Sequence, residues 1–332
     1  MIQETIKKLG FGLMRLPLLQ EDDPTSIDMP QFEKMVDQYL AQGFTYFDTA
    51  YPYHGGMSER VIGRVLKDYD RQSFYLATKY PGHQISDSYD PAAIFEEQLQ
   101  KCGVEYFDFY LLHNCGDDRT QAFDKFGIWD YALEMKEKGL LKHVGFSFHD
   151  KADVLDELLT KHPEMEFVQL QINYADWEDD NVQSRRCYEV ARKHNKPVII
   201  MEPVKGGLLA NPPETVAQVL KAAAPEKDLP SWALRFAASL EGIITVLSGM
   251  STLEQMEQNL ATMKEFSPLS AQEQAVVAQA REALVSLPSI PCTSCQYCVK
   301  GCPQGIPIPG VFSAMNTHLI YGNTERAKGN YG

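Results

Sequence analysis

A strand that is buried on both faces is predicted by residues 107–113, whose sequence FDFYLLH is apolar or aromatic at most positions of both faces. Seven further runs of the same kind occur along the chain, at residues 10–16, 44–48, 74–79, 144–147, 167–172, 198–202 and 243–248. Strands that are buried on both faces belong to parallel sheets with helices on their surfaces, so the stretches between the runs decide the fold.

Amphipathic stretches between these runs predict helices over residues 58–69, 151–160, 181–194 and 252–263, with Ser58 as the N-cap of the first and another helix opening at Pro91. Strands alternating with helices form right-handed βαβ units, and eight such units predict a (β/α)8 barrel of the TIM type. The alternative is an open doubly wound sheet. It is disfavoured because the first turn, residues 10–15, lacks the third glycine of a dinucleotide fingerprint.

A polar residue ends most of the predicted strands, and in a barrel these ends converge on one rim where active sites lie. The residues concerned are Asp48, Lys79, His113, Ser147, Gln171, Glu202 and Ser248. One polar residue after a strand usually only begins a loop. The repetition in seven strands predicts a shared pocket.

Composition excludes several classes of function. The 332 residues carry a formal net charge of -14, which disfavours binding to nucleic acid and to anionic membranes. Residues 1–8 lack the apolar core of a signal peptide, and the longest apolar runs are too short to cross a bilayer. A cytoplasmic location is therefore expected.

Three motifs give the chain a specific resemblance. The stretch FDTAYPYHGG at 47–56, the tripeptide ATK at 77–79 and the run DFYLLH at 108–113 are together similar to aldo-keto reductases over residues 5–265. The resemblance implies reduction of an aldehyde or ketone by NADPH or NADH, and a catalytic tetrad of Asp48, Tyr53, Lys79 and His113.

The chemistry of carbonyl reduction suits these four residue types. Negative charge grows on the carbonyl oxygen as hydride reaches the carbon, so the oxygen needs a proton donor. Tyr53 would be that acid, and the Lys79 ammonium would lower its pKa. Asp48 would hold Lys79 charged and in place, and His113 would orient the substrate oxygen.

The resemblance also implies a cofactor site. Ser147 and Gln171 match residues that bind the nicotinamide carboxamide, and Met201 stands where a ring-stacking tyrosine is common. The remaining positions are Pro203, Gly207, Ser248, Gly249, Ser251, Gln255 and Asn259. Gly249 and Gln255 occupy positions where NADPH-preferring relatives carry cations, so weak discrimination between NADH and NADPH is expected, with Lys205 as an alternative phosphate ligand.

Four cysteines cluster at Cys292, Cys295, Cys298 and Cys302, in the spacing C-x2-C-x2-C-x3-C-P of bacterial ferredoxins. This spacing favours a 4Fe-4S cluster over zinc, whose ligands more often form two separated pairs. The chain resembles a subgroup of aldo-keto reductases with such a C-terminal ferredoxin-like segment. A boundary is therefore expected between a barrel at 1–286 and an iron-sulfur segment at 287–332, with truncation of that segment as an open alternative.

In two-cluster ferredoxins the fourth cysteine of this run ligates the other cluster. Cys292, Cys295 and Cys298 are therefore expected on one cluster and Cys302 on a second site. The missing ligand would come from chain beyond Gly332 or from Cys115 or Cys187, and the chain as given is expected to hold iron poorly.

Two other functions remain open at this point. An electron-transfer protein would use the cluster to exchange single electrons with a partner, and a redox-sensing barrel would not be catalytic. The complete tetrad favours the reductase, because a binding module does not need a paired aspartate and lysine.

Overall fold

A closed barrel of parallel strands forms the centre of the chain. The computed structural model describes residues 2, 5–82, 90–292, 297–300 and 302–331. Within these ranges the strands are β1 Leu9–Gly12, β2 Tyr46–Asp48, β3 Tyr75–Tyr80, β4 Phe107–Cys115, β5 Leu141–Phe148, β6 Phe167–Gln171, β7 Val198–Met201 and β8 Ile243–Gly249. Each strand pairs with the next, and β8 closes the barrel on β1 with Gly249 opposite Gly12. The predicted (β/α)8 barrel is confirmed.

Helices follow the strands and cover the outside of the barrel. In chain order they are α1 Met29–Ala41, α2 Met57–Leu66, α3 Pro91–Cys102, α4 Asp117–Lys125, α5 Ile128–Glu137, α6 Ala152–Lys161, α7 Ser184–Lys193, α8 Glu214–Ala223, α9 Leu229–Ala238, α10 Leu253–Lys264, α11 Ala271–Val285, α12 Tyr297–Lys300, α13 Ile308–Tyr321 and α14 Thr324–Tyr331.

The prediction that Ser58 caps α2 was wrong. Gly56, in a left-handed conformation with φ 86°, precedes the helix as its N-cap. The buried Ser58 hydroxyl instead bonds the Thr49 hydroxyl at 2.8 Å and donates to the Leu13 carbonyl at 3.3 Å. Ser58 therefore fixes the loops after β1 and β2 against each other, at the carboxyl ends of these strands.

The core has an inner and an outer part. Inside the barrel, Tyr46, Phe109, Phe167 and Leu247 pack on one another at the end away from the predicted site. Outside, the apolar faces of the helices bury the strands in a larger cluster. The packed interior leaves the carboxyl ends of the strands as the place where polar side chains can converge.

The C-terminal helices extend the packing on one side. Helix α11 packs against α8 and buries Val277, Ala280 and Leu284. Ile320 and Tyr321, at the end of α13, contact the same apolar cluster. Across the ranges the structure describes, no helix is both long and apolar enough to span a bilayer.

Candidate active site

The four predicted tetrad residues lie together at the carboxyl ends of the barrel strands. Asp48 ends β2, Lys79 and His113 lie near the ends of β3 and β4, and Tyr53 begins a 3-10 turn directly after β2. The Lys79 Nζ donates to Asp48 Oδ1 at 2.5 Å and to the Thr49 carbonyl at 2.8 Å. It also lies 5.0 Å from the centroid of the Tyr53 ring.

Tyr53 stands between Lys79 and His113. Its ring meets the His113 imidazole edge-on, with the ring centroids 5.9 Å apart and the planes at 79°. His113 itself is buried. The phenol and imidazole thus flank one point on the rim, where a carbonyl oxygen could contact both.

Lys79 is fully buried and remains charged. Burial by itself lowers the pKa of this amine, but Asp48 and Tyr53 outweigh that effect and raise the pKa of Lys79 above its usual value. A buried ammonium without a carboxylate partner would be strongly disfavoured. The predicted role of Asp48, keeping Lys79 protonated and in place, agrees with this geometry.

The predicted effect of Lys79 on the pKa of Tyr53 is present, but burial outweighs it. Loss of hydration raises the pKa of the phenol, and the nearby Lys79 charge lowers it only in part, with Asp48 also raising it. The net pKa of Tyr53 is raised. A phenol in this state keeps its proton at neutral pH, as a proton donor must.

A second layer of buried polar groups supports Lys79, and the sequence analysis missed it. Glu59 of α2 is fully buried, and its Oε1 accepts from the Thr78 hydroxyl and from Gln98 Nε2, both at 2.7 Å. Gln98 Nε2 also donates to the Lys79 carbonyl at 3.0 Å. The residues come from α2, β3 and α3, so only the fold brings them together.

Ser147 and Gln171, the two residues predicted to bind the nicotinamide carboxamide, lie on the next strands around the rim. Ser147, buried near the end of β5, accepts a hydrogen bond from the Asn114 backbone at 2.8 Å. Gln171 ends β6 half-buried, with its Nε2 3.5 Å from Asp176 Oδ2. Met201 follows at the end of β7, also half-buried, so all three reach the same face of the barrel.

The predicted phosphate segment is organised by its own side chains. Asn259 Nδ2 donates to the Ser248 hydroxyl at 3.0 Å, linking β8 to α10. The Ser251 backbone donates to Gln255 Oε1 at 2.8 Å. A Cβ at Gly249 would lie 3.2 Å from the Cβ of a neighbouring residue, Arg15, whose proximity the sequence analysis did not foresee.

The loop after β7 carries Pro203, which is buried, and Gly207, which is exposed with φ 96°. Lys205, the alternative phosphate ligand, forms an ion pair with the buried Asp176. Its charge is therefore already neutralised in this structure. Gly206 and Gly207 both have positive φ, which glycine adopts without steric cost.

The cysteine run is described only in part. Cys298 is exposed, Cys292 and Cys302 are half-exposed, and Cys295 lies outside the described residues. The Cys292 carbonyl accepts from Asn181 Nδ2 at 3.4 Å, which places the start of the run beside the barrel. In the described ranges, no group of three or more histidine, cysteine or acidic residues is placed to hold a metal ion.

The two distant cysteines are poor candidates for the missing cluster ligand. Cys115 and Cys187 are both buried. Burial raises the pKa of the Cys187 thiol to about 12 and that of Cys115 well above its usual value. Metal binding needs a thiolate, which these surroundings disfavour.

Comparisons with known proteins identify the family to which this chain belongs. The model of the "Aldo/keto reductase family" matches residues 8–282. The chain is 29% identical over 188 residues to "Probable aldo-keto reductase 1" of Glycine max, a match that spans 53% of this chain and 50% of the soybean protein.

Solved structures show the same fold. The holo form of aldo-keto reductase AKR11C1 from Bacillus halodurans superposes with a TM-score of 0.65 at 23% identity, covering 84% of this chain and 93% of that one. An aldo-keto reductase from Klebsiella pneumoniae in complex with NADPH gives a TM-score of 0.62 at 18% identity, with coverage of 84% and 95%.

The barrel, the convergence of the four side chains and the family match agree with one another. The chain therefore belongs to the aldo/keto reductase family of oxidoreductases, which reduce carbonyl groups with NAD(P)H.

Proposed function

We propose that this protein reduces an aldehyde or ketone with Tyr53 as the general acid, assisted by Lys79, Asp48 and His113. The observation that carries the proposal is the buried Lys79–Asp48 ion pair at 2.5 Å, with the Tyr53 phenol beside it and against His113. Burying an ammonium and a carboxylate is expensive, and such pairs are common at catalytic sites.

The reduced nicotinamide supplies a hydride to the carbonyl carbon when it is bound. Tyr53 gives its phenolic proton to the carbonyl oxygen, so the two atoms of the former double bond each gain one hydrogen. The Lys79 ammonium stabilises the tyrosinate left behind, and Asp48 keeps that ammonium in position. His113 orients the oxygen toward the phenol, so that the transfer distance is short.

The rim residues fit a nicotinamide dinucleotide. Ser147 and Gln171 present side-chain hydrogen-bonding groups near the tetrad, and Met201 offers a polarisable thioether. The phosphates would lie over the positions where glycine leaves the backbone uncovered, Gly207 and Gly249, with Pro203 shaping the loop after β7. Ser248, Ser251, Gln255 and Asn259 form the adjoining segment, whose internal hydrogen bonds hold it ready for the adenosine end.

We further propose that residues 287–332 form a ferredoxin-like segment appended to a barrel at 1–286. Cys292, Cys295 and Cys298 would hold a 4Fe-4S cluster, and Cys302 would belong to a second site. The cysteine spacing supports this assignment. So do the backbone N–H groups of Ile306 and Gln304, which bond the Cys302 sulfur and lower the pKa of its thiol, as a metal ligand requires.

A cluster at this position would supply one-electron transfer, so an electron-transfer partner is part of the proposal. A cytoplasmic location also belongs to it, supported by the metal-ligand spacing of the clustered cysteines and by the net negative charge of the chain.

A panel of aldehydes and ketones, assayed anaerobically with NADH and NADPH, tests the proposed function. Wild-type protein should oxidise the cofactor only when a carbonyl substrate is present. The Lys79→Met variant should lose at least about a hundredfold in rate, the usual range for disabling acid catalysis. Equal rates in the two proteins would show that the tetrad is not the catalytic group.

A further inference from the structure

The C-terminal helix α14 contributes an arginine to the catalytic rim. Arg326 is half-buried, and its Nη1 donates to the Gly206 carbonyl in the loop after β7. Gly206 has φ 60°, and a Cβ there would overlap the Arg326 guanidinium. The glycine therefore makes room for a side chain that arrives from 120 residues further along the chain.

The Arg326 guanidinium has fewer hydrogen-bond and ion-pair partners than it has donors. No carboxylate in the described part of the chain lies within 4.0 Å of it, although Glu202 is nearby. A guanidinium carries five N–H donors, of which the Gly206 carbonyl uses one. Among the described residues no further side-chain hydrogen bond of Arg326 is seen, so several of its donors are available to a ligand.

A second arginine lies close to the first. Burial lowers the pKa of Arg326, and the positive charge of Arg15 lowers it further. Arg15 follows β1, packs over Gly249 and accepts a hydrogen bond through its backbone carbonyl from Ser251 at 3.2 Å. The Glu202 carboxylate interacts with both arginines and offsets part of their charge. The positive charge that remains suits an anionic ligand.

The positions of Arg326 and Arg15 indicate which part of the dinucleotide they would bind. Arg326 adjoins Gly206, at one side of the proposed cofactor path, and Arg15 adjoins Gly249, at the other. The dinucleotide segment that must pass between these two loops is the diphosphate, because the nicotinamide lies toward the tetrad and the adenosine toward α10.

We propose that Arg326, together with Arg15, binds the diphosphate of the nicotinamide dinucleotide, so that the C-terminal segment completes the cofactor site of the barrel. The inference rests on the cofactor placement given under the proposed function. It adds a ligand from outside the barrel, whose docking then controls cofactor affinity.

Cofactor dissociation constants of the full-length protein test this inference, measured by fluorescence titration with NADH and with NADPH. The informative variant is Arg326→Gln, whose amide can still donate to the Gly206 carbonyl but carries no charge. Loss of a charge-assisted hydrogen bond should raise both dissociation constants by about tenfold or more. Arg326→Lys, which keeps the charge, should fall between Arg326→Gln and the wild type.

Lys328→Ala is the matched control, because it removes an exposed charge from the same helix and should leave both constants unchanged. Unchanged constants in Arg326→Gln would overturn the inference and leave the proposed function intact. A rise confined to NADPH would also overturn it, by placing Arg326 at the 2′-phosphate instead. If the wild type bound neither cofactor, the proposed function would fail together with the inference.

Discussion

Two opposing effects act on the pKa of the Tyr53 hydroxyl. Burial raises the pKa of the phenol, and the Lys79 ammonium lowers it, with burial the larger effect. Reduction needs the protonated phenol, so the rate is governed by the fraction of Tyr53 that still carries its proton. The pH at which that fraction falls reports which effect dominates.

We predict that kcat/KM for carbonyl reduction is constant from neutral pH to about pH 9 and falls only at higher pH, near or above the ordinary tyrosine pKa of about 10. The measurement is a pH profile with cofactor saturating at every point. A decline already centred near pH 7 would mean that Lys79, not burial, sets the pKa of Tyr53.

Glu59 supports Lys79 without touching the reacting atoms. Because it accepts from Thr78 and Gln98, and Gln98 donates to the Lys79 carbonyl, we predict that Glu59→Gln lowers kcat by about tenfold while the cofactor dissociation constants change little. The same variant should lose about 1–3 kcal/mol of unfolding free energy, because a buried polar network is left with mismatched donors.

The control for this variant is Glu96→Gln, an exposed acid on α3 that does not join the buried network. It should keep the wild-type kcat and stability. A Glu59→Gln enzyme with normal kcat but reduced stability would show that Glu59 is structural only.

The clustering of the four tetrad side chains could be predicted from the sequence because each motif is short and lies in or directly after a recognisable strand. The network of Glu59, Thr78 and Gln98 could not, since nothing in their spacing shows that three elements meet behind Lys79. Arg326 was missed for the same reason. The effect of Lys79 on the Tyr53 pKa could be predicted, but the larger effect of burial could not, because burial depends on neighbours that only the fold supplies.

At the scale of elements, the first strand shows a limit of prediction from hydrophobic patterns. The apolar run predicted a strand to residue 16, but β1 stops at Gly12. Beyond Gly12, side chains replace strand pairing as hydrogen-bond partners of the backbone. Ser58 donates to the Leu13 carbonyl, and His54 Nε2 accepts from the Leu16 N–H at 3.2 Å. Hydrophobicity predicts burial well, but it does not reveal which partner satisfies a buried backbone.

The segment from β8 into α10 bears on cofactor choice. Gly249 and Gln255 provide no positive charge, and Lys205 is paired with Asp176. We predict that the dissociation constants for NADH and NADPH differ by less than about a hundredfold, or about 2.7 kcal/mol. Titration with both cofactors decides this. A larger preference for NADPH would reveal a 2′-phosphate ligand that is not among these positions.

At the scale of the whole molecule, the cysteine run and the barrel meet near Asn181, while Arg326 joins α14 to the loop after β7. We predict that, after anaerobic reconstitution with iron and sulfide, Cys298→Ser loses bound iron and Cys302→Ser retains the wild-type amount. The reason is that only the first three cysteines are assigned to one cluster.

Iron and sulfide analysis, with the visible spectrum as a second readout, gives the result. About four iron and four sulfide ions per chain in the wild type, lost equally in both variants, would refute the split between Cys302 and the other three cysteines.

The central claim is that Tyr53 donates the proton, and single-turnover reduction by Tyr53→Phe tests it most directly. The account predicts a rate constant for hydride transfer lowered by about a hundredfold to ten-thousandfold, because the phenylalanine ring fills the same space without a donor. Cofactor affinity should stay within about twofold of the wild type, since Tyr53 is not assigned to the cofactor. A rate constant close to that of the wild type would contradict the account.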